Sequence, residues 1–157
     1  MIIMNRSPIK RHESLKNLSR EHHDGLIFAF RLQKGLAKKA SVQSMNAYTD
    51  WFWEAHLKPH FKMEETHLFP MYGLDKRLVK KAKEQHQVLA SLFAIASKSY
   101  EDFKNIHTLL QQHIRLEERE LFMEIQDKLD ETELAKFQAI HVSQNSCETW
   151  PDKFWKD

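Results

Sequence analysis

Two copies of one spacing, a histidine four residues before a glutamate, are the residues best suited to chemistry in this sequence. They are His60 with Glu64, and His113 with Glu117. A step of four residues is just over one turn of an α-helix, so each pair points an imidazole and a carboxylate from the same face. Both groups are common metal ligands. The spacing therefore predicts that each pair helps to hold a metal ion.

The two copies are similar beyond the pair itself. Each continues with a second glutamate, Glu65 or Glu118, and then with a Leu-Phe dipeptide, at 68–69 or 121–122. Each pair also lies on the apolar stripe of its predicted helix. Burying two glutamates is costly unless a cation compensates their charge. A metal centre is therefore favoured over a metal-free network of hydrogen bonds.

Two other predicted helices each carry a histidine on an apolar side. The third helix offers His86, and the first offers His22 or His23. His23 is preferred, because Leu26 and Ile27 follow it by three and four residues, which places it on the apolar face.

The remaining histidines have less support from the pattern. His56 and His67 share the stripe of the first pair, so we expect them to be hydrogen-bond partners of the ligands or additional ligands. Solvated or capping roles are expected for His12, His107 and His141. The six predicted metal ligands are His23, His60, Glu64, His86, His113 and Glu117.

The composition favours one all-α domain covering residues 1–157. Only 3 glycines and 4 prolines occur among the 157 residues, and residues with high helix propensity are plentiful. The net charge of +2, without a long run of like charges, gives no argument for a nucleic-acid or anionic membrane partner. A single cysteine, Cys147, and the absence of a signal-like or membrane-spanning apolar stretch predict a cytoplasmic protein.

Apolar periodicity predicts four long amphipathic helices joined by short links, which is typical of an antiparallel up-down-up-down four-helix bundle. An N-terminal arm precedes them, and a short helix with an Asp130–Glu133 capping box and an aromatic tail follow them. Pro59 predicts a kink or break before the first pair. The predicted helices cover residues 19–38, 44–71, 75–97, 100–129 and 131–140, with a bundle core of about 15–130 and a C-terminal helix and tail over 131–157.

This arrangement resembles the hemerythrin-like family, also called the HHE cation-binding domain, over about residues 15–130. The resemblance implies a four-helix bundle around a non-haem di-iron centre with an oxo or hydroxo bridge. It further implies terminal ligands from four histidines and bridging ligands from two glutamates. Manganese or zinc would also suit this oxygen and nitrogen donor set. The implied terminal ligands are His23, His60, His86 and His113, and the implied bridges are Glu64 and Glu117.

One position departs from the oxygen-carrying members of that family. They use a fifth histidine one turn before the ligand in the third helix, and this chain has Ala82 there. Alanine cannot coordinate a metal. The departure argues against a dedicated, reversible oxygen carrier, unless His56 or His67 supplies the missing ligand.

The sequence therefore predicts a di-iron protein that binds or senses dioxygen, nitric oxide or peroxide, or that handles iron, with an unidentified redox partner. A binding role is favoured over catalysis. The first alternative is a ferritin-like di-iron oxidase, which needs Glu-x-x-His on two helices, whereas only Glu64 to His67 matches. The second alternative is a metal-free helical interaction module that uses the aromatic tail, with Trp150 and Trp155, as its contact surface.

Overall fold

The computed structural model describes residues 10–141 and 150–157, and these residues contain helices and no strand. The all-α prediction is confirmed, and the up-down-up-down order of the four long helices stays a prediction. A 3₁₀ turn over Glu13–Leu15 precedes the first helix. The helices are α1 (Lys16–Ala37), α2 (residues 42–72), α3 (Arg77–Phe93), α4 (residues 100–128) and α5 (Glu131–Ile140).

Helix α2 is continuous, and it contains two wide π-helical turns, the first of which lies where the sequence predicted a kink or break. The π turns are Trp53–Leu57 and Glu64–Leu68. Each ends two residues before a proline, Pro59 or Pro70. A proline has no N–H group and clashes with the carbonyl group of the preceding turn, and a wider turn immediately before it relieves that clash. The α-helical parts are Val42–Phe52, Lys58–Met63 and Phe69–Tyr72.

Helix α4 contains the same wide turn at the corresponding place in its motif. Its first part, Tyr100–Leu116, begins with a capping box in which Ser99 and Asp102 bond reciprocally. A π turn over Glu117–Leu121 follows, and the helix ends with Phe122–Lys128. A π turn thus starts at the glutamate of each His-x-x-x-Glu pair. Single π turns inside α-helices are frequent at functional sites.

Some predicted helix boundaries are wrong by a few residues. Helix α1 starts at Lys16, so Ser19 is an interior residue and not the N-cap. Helix α3 starts after Lys76 and not after Asp75. The Asp130–Glu133 capping box of α5 is present as predicted.

Two apolar clusters fill the core, one on either side of a layer of buried polar residues. Within each long helix, the buried histidines and glutamates lie between residues of one cluster and residues of the other. The first cluster includes Phe28, Phe52, Phe61, Leu89, Phe93 and Leu110, and the second includes Leu18, Leu68, Phe69, Ala82, Leu121 and Phe122. The fold therefore encloses the polar layer with apolar packing above and below.

The C-terminal aromatic residues pack against the bundle. The ring centroids of Trp150, Phe154 and Trp155 lie 5.8, 5.5 and 5.2 Å from that of Tyr48. Gly35 of α1 permits this contact, because a Cβ atom there would lie 2.6 Å from Cε1 of Phe154. The tail thus extends the first apolar cluster.

Cys147 and the first nine residues of the predicted arm lie outside the described residues. No helix in the described part of the chain combines the length and the apolar character that crossing a bilayer requires. The cytoplasmic location and the single-domain organisation stay predictions.

Candidate metal centre

Helix α1 contributes His22 to the polar layer, so the prediction of His23 as the residue that faces the core is wrong. His22 is 3% exposed, whereas the side chain of His23 is exposed. Leu26 and Ile27, the residues on which the choice of His23 rested, are themselves 40% and 36% exposed. The buried stripe of α1 has the spacing 3-4-3-4-3, which would have identified His22 from the sequence. Its members are Leu15, which immediately precedes the helix, and Leu18, His22, Gly25, Ala29 and Leu32 within it.

The structure brings the other five predicted residues together with His22. They form two groups of four, and in each group one ligand atom per residue lies within 4.8 Å of all the others. The two groups share both glutamates. The first is His22, His60, Glu64 and Glu117, and the second is His86, His113, Glu64 and Glu117.

Glu64 divides its two carboxylate oxygens between the groups. Its Oε2 lies 3.4 Å from Nε2 of His60 and 4.0 Å from Nε2 of His22. Its Oε1 lies 3.2 Å from Nε2 of His86. One oxygen thus faces each pair of imidazoles.

Glu117 divides its oxygens in the same way. Its Oε1 lies 2.8 Å from Nε2 of His22. Its Oε2 lies 3.2 Å from Nε2 of His113 and 3.4 Å from Nε2 of His86. Both carboxylates therefore span the two groups, which is the arrangement that two neighbouring cations with shared carboxylate ligands require.

Each of the four histidines uses its other ring nitrogen to bond a side chain of a neighbouring helix. These contacts form a closed cycle around the bundle, from α1 to α2, α2 to α3, α3 to α4 and α4 back to α1. We call the cycle the support ring. It comprises Glu21 with His60 at 2.7 Å, Glu65 with His86 at 2.5 Å, Gln85 with His113 at 2.7 Å, and Glu118 with His22 at 2.7 Å.

The support ring fixes how each imidazole presents its nitrogens. An ionised carboxylate is only an acceptor, so the facing Nδ1 carries the proton and donates it. The lone pair of Nε2 in the neutral ring then points to the centre, where a metal would accept it. Glu118 is itself held by the hydroxyl of Ser19 at 2.8 Å and by Arg11 Nη2 at 3.3 Å.

Sequence reasoning missed the ring, although three of its members lie next to predicted ligands and the fourth lies next to His22. Glu21 precedes His22 and Gln85 precedes His86, whereas Glu65 and Glu118 follow the two central glutamates. Adjacent residues on a helix point about 100° apart. When a ligand faces the centre, the member of the support ring beside it therefore faces a neighbouring helix. The second glutamate of each motif copy was the available signal.

Burial and neighbouring charges act against each other on these imidazoles. Burial lowers the pKa of His60, but Glu64 and Glu21 outweigh it and raise the pKa to about 10. Burial likewise opposes the protonation of His86, yet the glutamates around it raise its pKa well above 6.5. At His113 burial dominates and lowers the pKa. Nε2 of His86 and Nε2 of His113 lie 3.1 Å apart, so the two rings cannot both carry a proton there.

Several buried polar atoms at the centre lack a hydrogen-bond partner among the residues that the structure describes. They are Nε2 of His60, both carboxylate oxygens of Glu64 and Oε2 of Glu117. Both glutamates are 0% exposed. Unpartnered buried carboxylates are costly, and a cation among them would satisfy their charge. The oxygen and nitrogen donors, without a thiolate, fit iron, manganese or zinc.

Comparison with protein families agrees with this geometry. The sequence profile of the hemerythrin HHE cation binding domain matches residues 13–125. The chain belongs to this family. It is therefore a hemerythrin-like cation-binding domain with a buried histidine and glutamate cluster suited to metal. The match includes α1 to α3 and most of α4, and it leaves α5 and the tail outside. Comparison with curated proteins and with solved structures gave no significant match.

The other histidines lie outside both groups. His56 is half-buried, contacts the rings of Trp51 and Phe52, and lines a cavity of about 70 Å³. His67 and His107 are half-buried.

Ala82 is fully buried in the second apolar cluster.

Of the expected solvated or capping histidines, His12 caps the turn at Ser14, whereas His141 is buried and bonds Glu21 at 3.0 Å.

Proposed function

We propose that this chain is a non-haem di-iron protein that binds dioxygen, nitric oxide or peroxide, and that it serves in sensing or in iron handling. The family establishes cation binding, and the identity of the metal and of its small ligand belongs to the proposal. The terminal ligands would be His22 and His60 at one iron, and His86 and His113 at the other. Glu64 and Glu117 would bridge the two.

The observation that carries the proposal is the division of each central carboxylate between the two groups. One oxygen of Glu64 and one of Glu117 face the His22 and His60 pair, and the other two face the His86 and His113 pair. Two anionic carboxylates shared in this way stabilise two close cations. Iron held by these residues would supply redox chemistry and would bind small ligands.

The residues around the centre support a role in binding small molecules. The support ring holds all four imidazoles in the tautomer that presents Nε2 inward. Phe61 stacks on His86 with ring centroids 3.8 Å apart and covers the centre with an apolar side chain. An open surface cavity of about 340 Å³, lined by Phe61, His86 and Glu65 among others, lies beside the second pair.

Metal loading and ligand addition test the proposal. Protein stripped with a chelator is titrated anaerobically with ferrous iron, and the bound iron and the absorption spectrum are measured before and after nitric oxide, dioxygen or peroxide is added. We expect two irons per chain and a spectral change with at least one ligand. Two bound irons with no response to any of the three ligands would contradict the gas-binding proposal and leave cation binding intact.

The two alternatives gain no support from particular residues. A ferritin-like oxidase would use His67, which lies in neither group of potential ligands. A metal-free helical module would leave both carboxylate oxygens of Glu64 buried and without a hydrogen bond among the described residues, with their charge balanced by the nearby imidazoles of His60 and His86.

A further inference from the structure

Helix α5 lies outside the family match, yet it contacts the candidate metal centre through one side chain. Its C-cap residue is His141, which is 4% exposed. Nε2 of His141 lies 3.0 Å from Oε2 of Glu21. The other oxygen of Glu21, Oε1, accepts from Nδ1 of His60 at 2.7 Å. A continuous chain of hydrogen bonds thus joins the end of α5 to a proposed metal ligand.

The position of His141 is fixed by the packing of α5. Leu134 and Phe137 are almost fully buried in the second apolar cluster. The backbone N–H of His141 bonds the carbonyl oxygen of Phe137, and Asn17 of α1 donates to the carbonyl oxygen of His141 at 3.3 Å. The ring therefore reaches Glu21 only while α5 is packed against the bundle.

Glu21 differs from Glu118 of the support ring in what holds it. Glu118 is fixed by Arg11 and Ser19. Among the described residues, the contacts of Glu21 come from His60 and from His141. Without the imidazole of His141, one oxygen of a largely buried carboxylate would lose its donor, and the carboxylate would be free to rotate away from His60.

We propose that His141 is a positioning residue that holds Glu21 against His60, and that it thereby couples the packing of α5 to cation binding at the His22 and His60 pair. The inference rests on the proposed metal centre. Coupling between two equilibria is reciprocal. If a packed α5 strengthens cation binding, then a bound cation must also stabilise the packing of α5.

Three variants test this inference. His141→Phe keeps a planar ring beside Phe137 and removes the donor to Glu21. His141→Gln replaces the ring with an amide whose N–H can reach the same oxygen. His12→Phe is the matched control, because His12 also contacts a glutamate of α5, Glu131, at 3.0 Å, but it has no hydrogen bond to the support ring.

Cation affinity is measured by competition with a chelator, using ferrous iron under anaerobic conditions and Mn²⁺ in a second series. We expect His141→Phe to weaken binding by up to about 10-fold, the lower end of what loss of a ligand's own hydrogen-bond partner costs, because Glu21 would be loosened and not removed. His141→Gln should recover most of the affinity, and His12→Phe should change it less than twofold. Equal weakening in His141→Phe and His12→Phe, or none in either, would overturn the inference.

Amide hydrogen exchange gives a second readout that does not depend on activity. Cation binding should slow exchange in residues 131–140 of the unmodified chain and of His141→Gln, but not of His141→Phe. The same slowing in all three proteins would contradict the coupling.

A readout on metal-free protein separates the two proposals. The Nδ1 proton of His60 should exchange slowly in nuclear magnetic resonance spectra of the unmodified chain and of His141→Gln, and faster in His141→Phe. If the unmodified chain binds no cation, the proposed function fails. Exchange of the Nδ1 proton of His60 then tests the positioning role of His141 by itself, and unchanged exchange in His141→Phe would overturn that role.

Discussion

At the residue scale, the centre depends on which atom each side chain presents. Four imidazoles point Nε2 inward because Glu21, Glu65, Gln85 and Glu118 hold their Nδ1 atoms. The His-x-x-x-Glu spacing predicts the inward residues of α2 and α4, because ligand spacing within one helix is a local property. The partners belong to neighbouring helices, and sequence spacing does not show which helices are neighbours.

The choice between the two adjacent histidines of α1 can be tested by exchanging each for alanine. His22→Ala removes a buried imidazole 2.8 Å from Glu117 and should reduce bound metal by at least one ion per chain. His23→Ala changes an exposed side chain and should leave the metal content unchanged. Elemental analysis of the two variants after identical metal loading makes the comparison. Loss of metal from His23→Ala alone would show that α1 is rotated about its axis so that His23, and not His22, faces the centre.

Gln85 is the one neutral member of the support ring, so the two pairs of histidines are held differently. A carboxylate partner raises the basicity of an imidazole more than an amide does. Gln85→Glu should therefore strengthen cation binding by the His86 and His113 pair, by roughly tenfold. Titration with Mn²⁺, with the free ion followed by magnetic resonance, would measure the affinity of each binding step, and the step that changes in Gln85→Glu is assigned to the His86 and His113 pair. Glu65→Gln makes the reverse change, from a carboxylate to an amide, and should weaken the same binding step. A change of affinity in the same direction in both variants would contradict the proposed effect of the carboxylate.

At the element scale, the sequence predicts the number and kind of helices better than their internal form. Apolar periodicity predicts five helices near their observed positions. The α5 capping box is a local pattern, so the sequence alone predicts it. The π turns were not predicted, because one extra residue in a turn changes the periodicity only slightly. The placement of His23 on the core face is wrong because Leu26 and Ile27, on which it rested, are apolar yet exposed.

The packing of the tail on α1 depends on the absence of a side chain at Gly35. A Cβ atom there would lie 2.6 and 2.9 Å from two atoms of the Phe154 ring, so Gly35→Ala should displace the tail. Gly25→Ala is the matched control in the same helix, because its Cβ atom would meet the flexible end of Ile114 at 3.0 Å and nothing else among the described residues.

Tryptophan fluorescence and limited proteolysis can measure the displacement. We expect Gly35→Ala to expose Trp150 and Trp155 and to speed cleavage of the tail, with the metal content unchanged. Gly25→Ala should retain the native spectrum, since alanine is favoured over glycine inside a helix by up to about 1 kcal/mol. A native spectrum for Gly35→Ala would contradict the packing of Phe154 on α1.

At the scale of the whole molecule, the buried charges link stability to pH. Burial opposes the ionisation of Glu21, but His141 and His60 outweigh it and lower the pKa to about 2. Its contribution to stability is present above pH 4.5 and is lost as the pH falls toward 2. The pKa of His60 is raised from 6.5 to about 10, so its contribution is present below pH 6.5 and is lost as the pH rises through 10.

The contact between Glu21 and His60 should therefore stabilise metal-free protein most between about pH 4.5 and 6.5, and a cation should displace a proton from His60 at neutral pH. Thermal unfolding of metal-free protein as a function of pH tests the first expectation. Calorimetry of Mn²⁺ binding in two buffers with different ionisation enthalpies tests the second. Binding at pH 7 without proton release would contradict the protonation that the geometry assigns to His60.

The central claim is that two carboxylates hold two cations in one buried layer, and the metal content of the protein tests it most directly. Protein expressed with iron and purified without added metal should contain about two irons per chain, matching the two groups of potential ligands. Glu64→Gln should lose at least one of them, because Glu64 faces both groups, whereas Glu65→Gln should retain both under saturating iron. One zinc ion or no metal in the unmodified chain, or equal loss from the two variants, would contradict the claim.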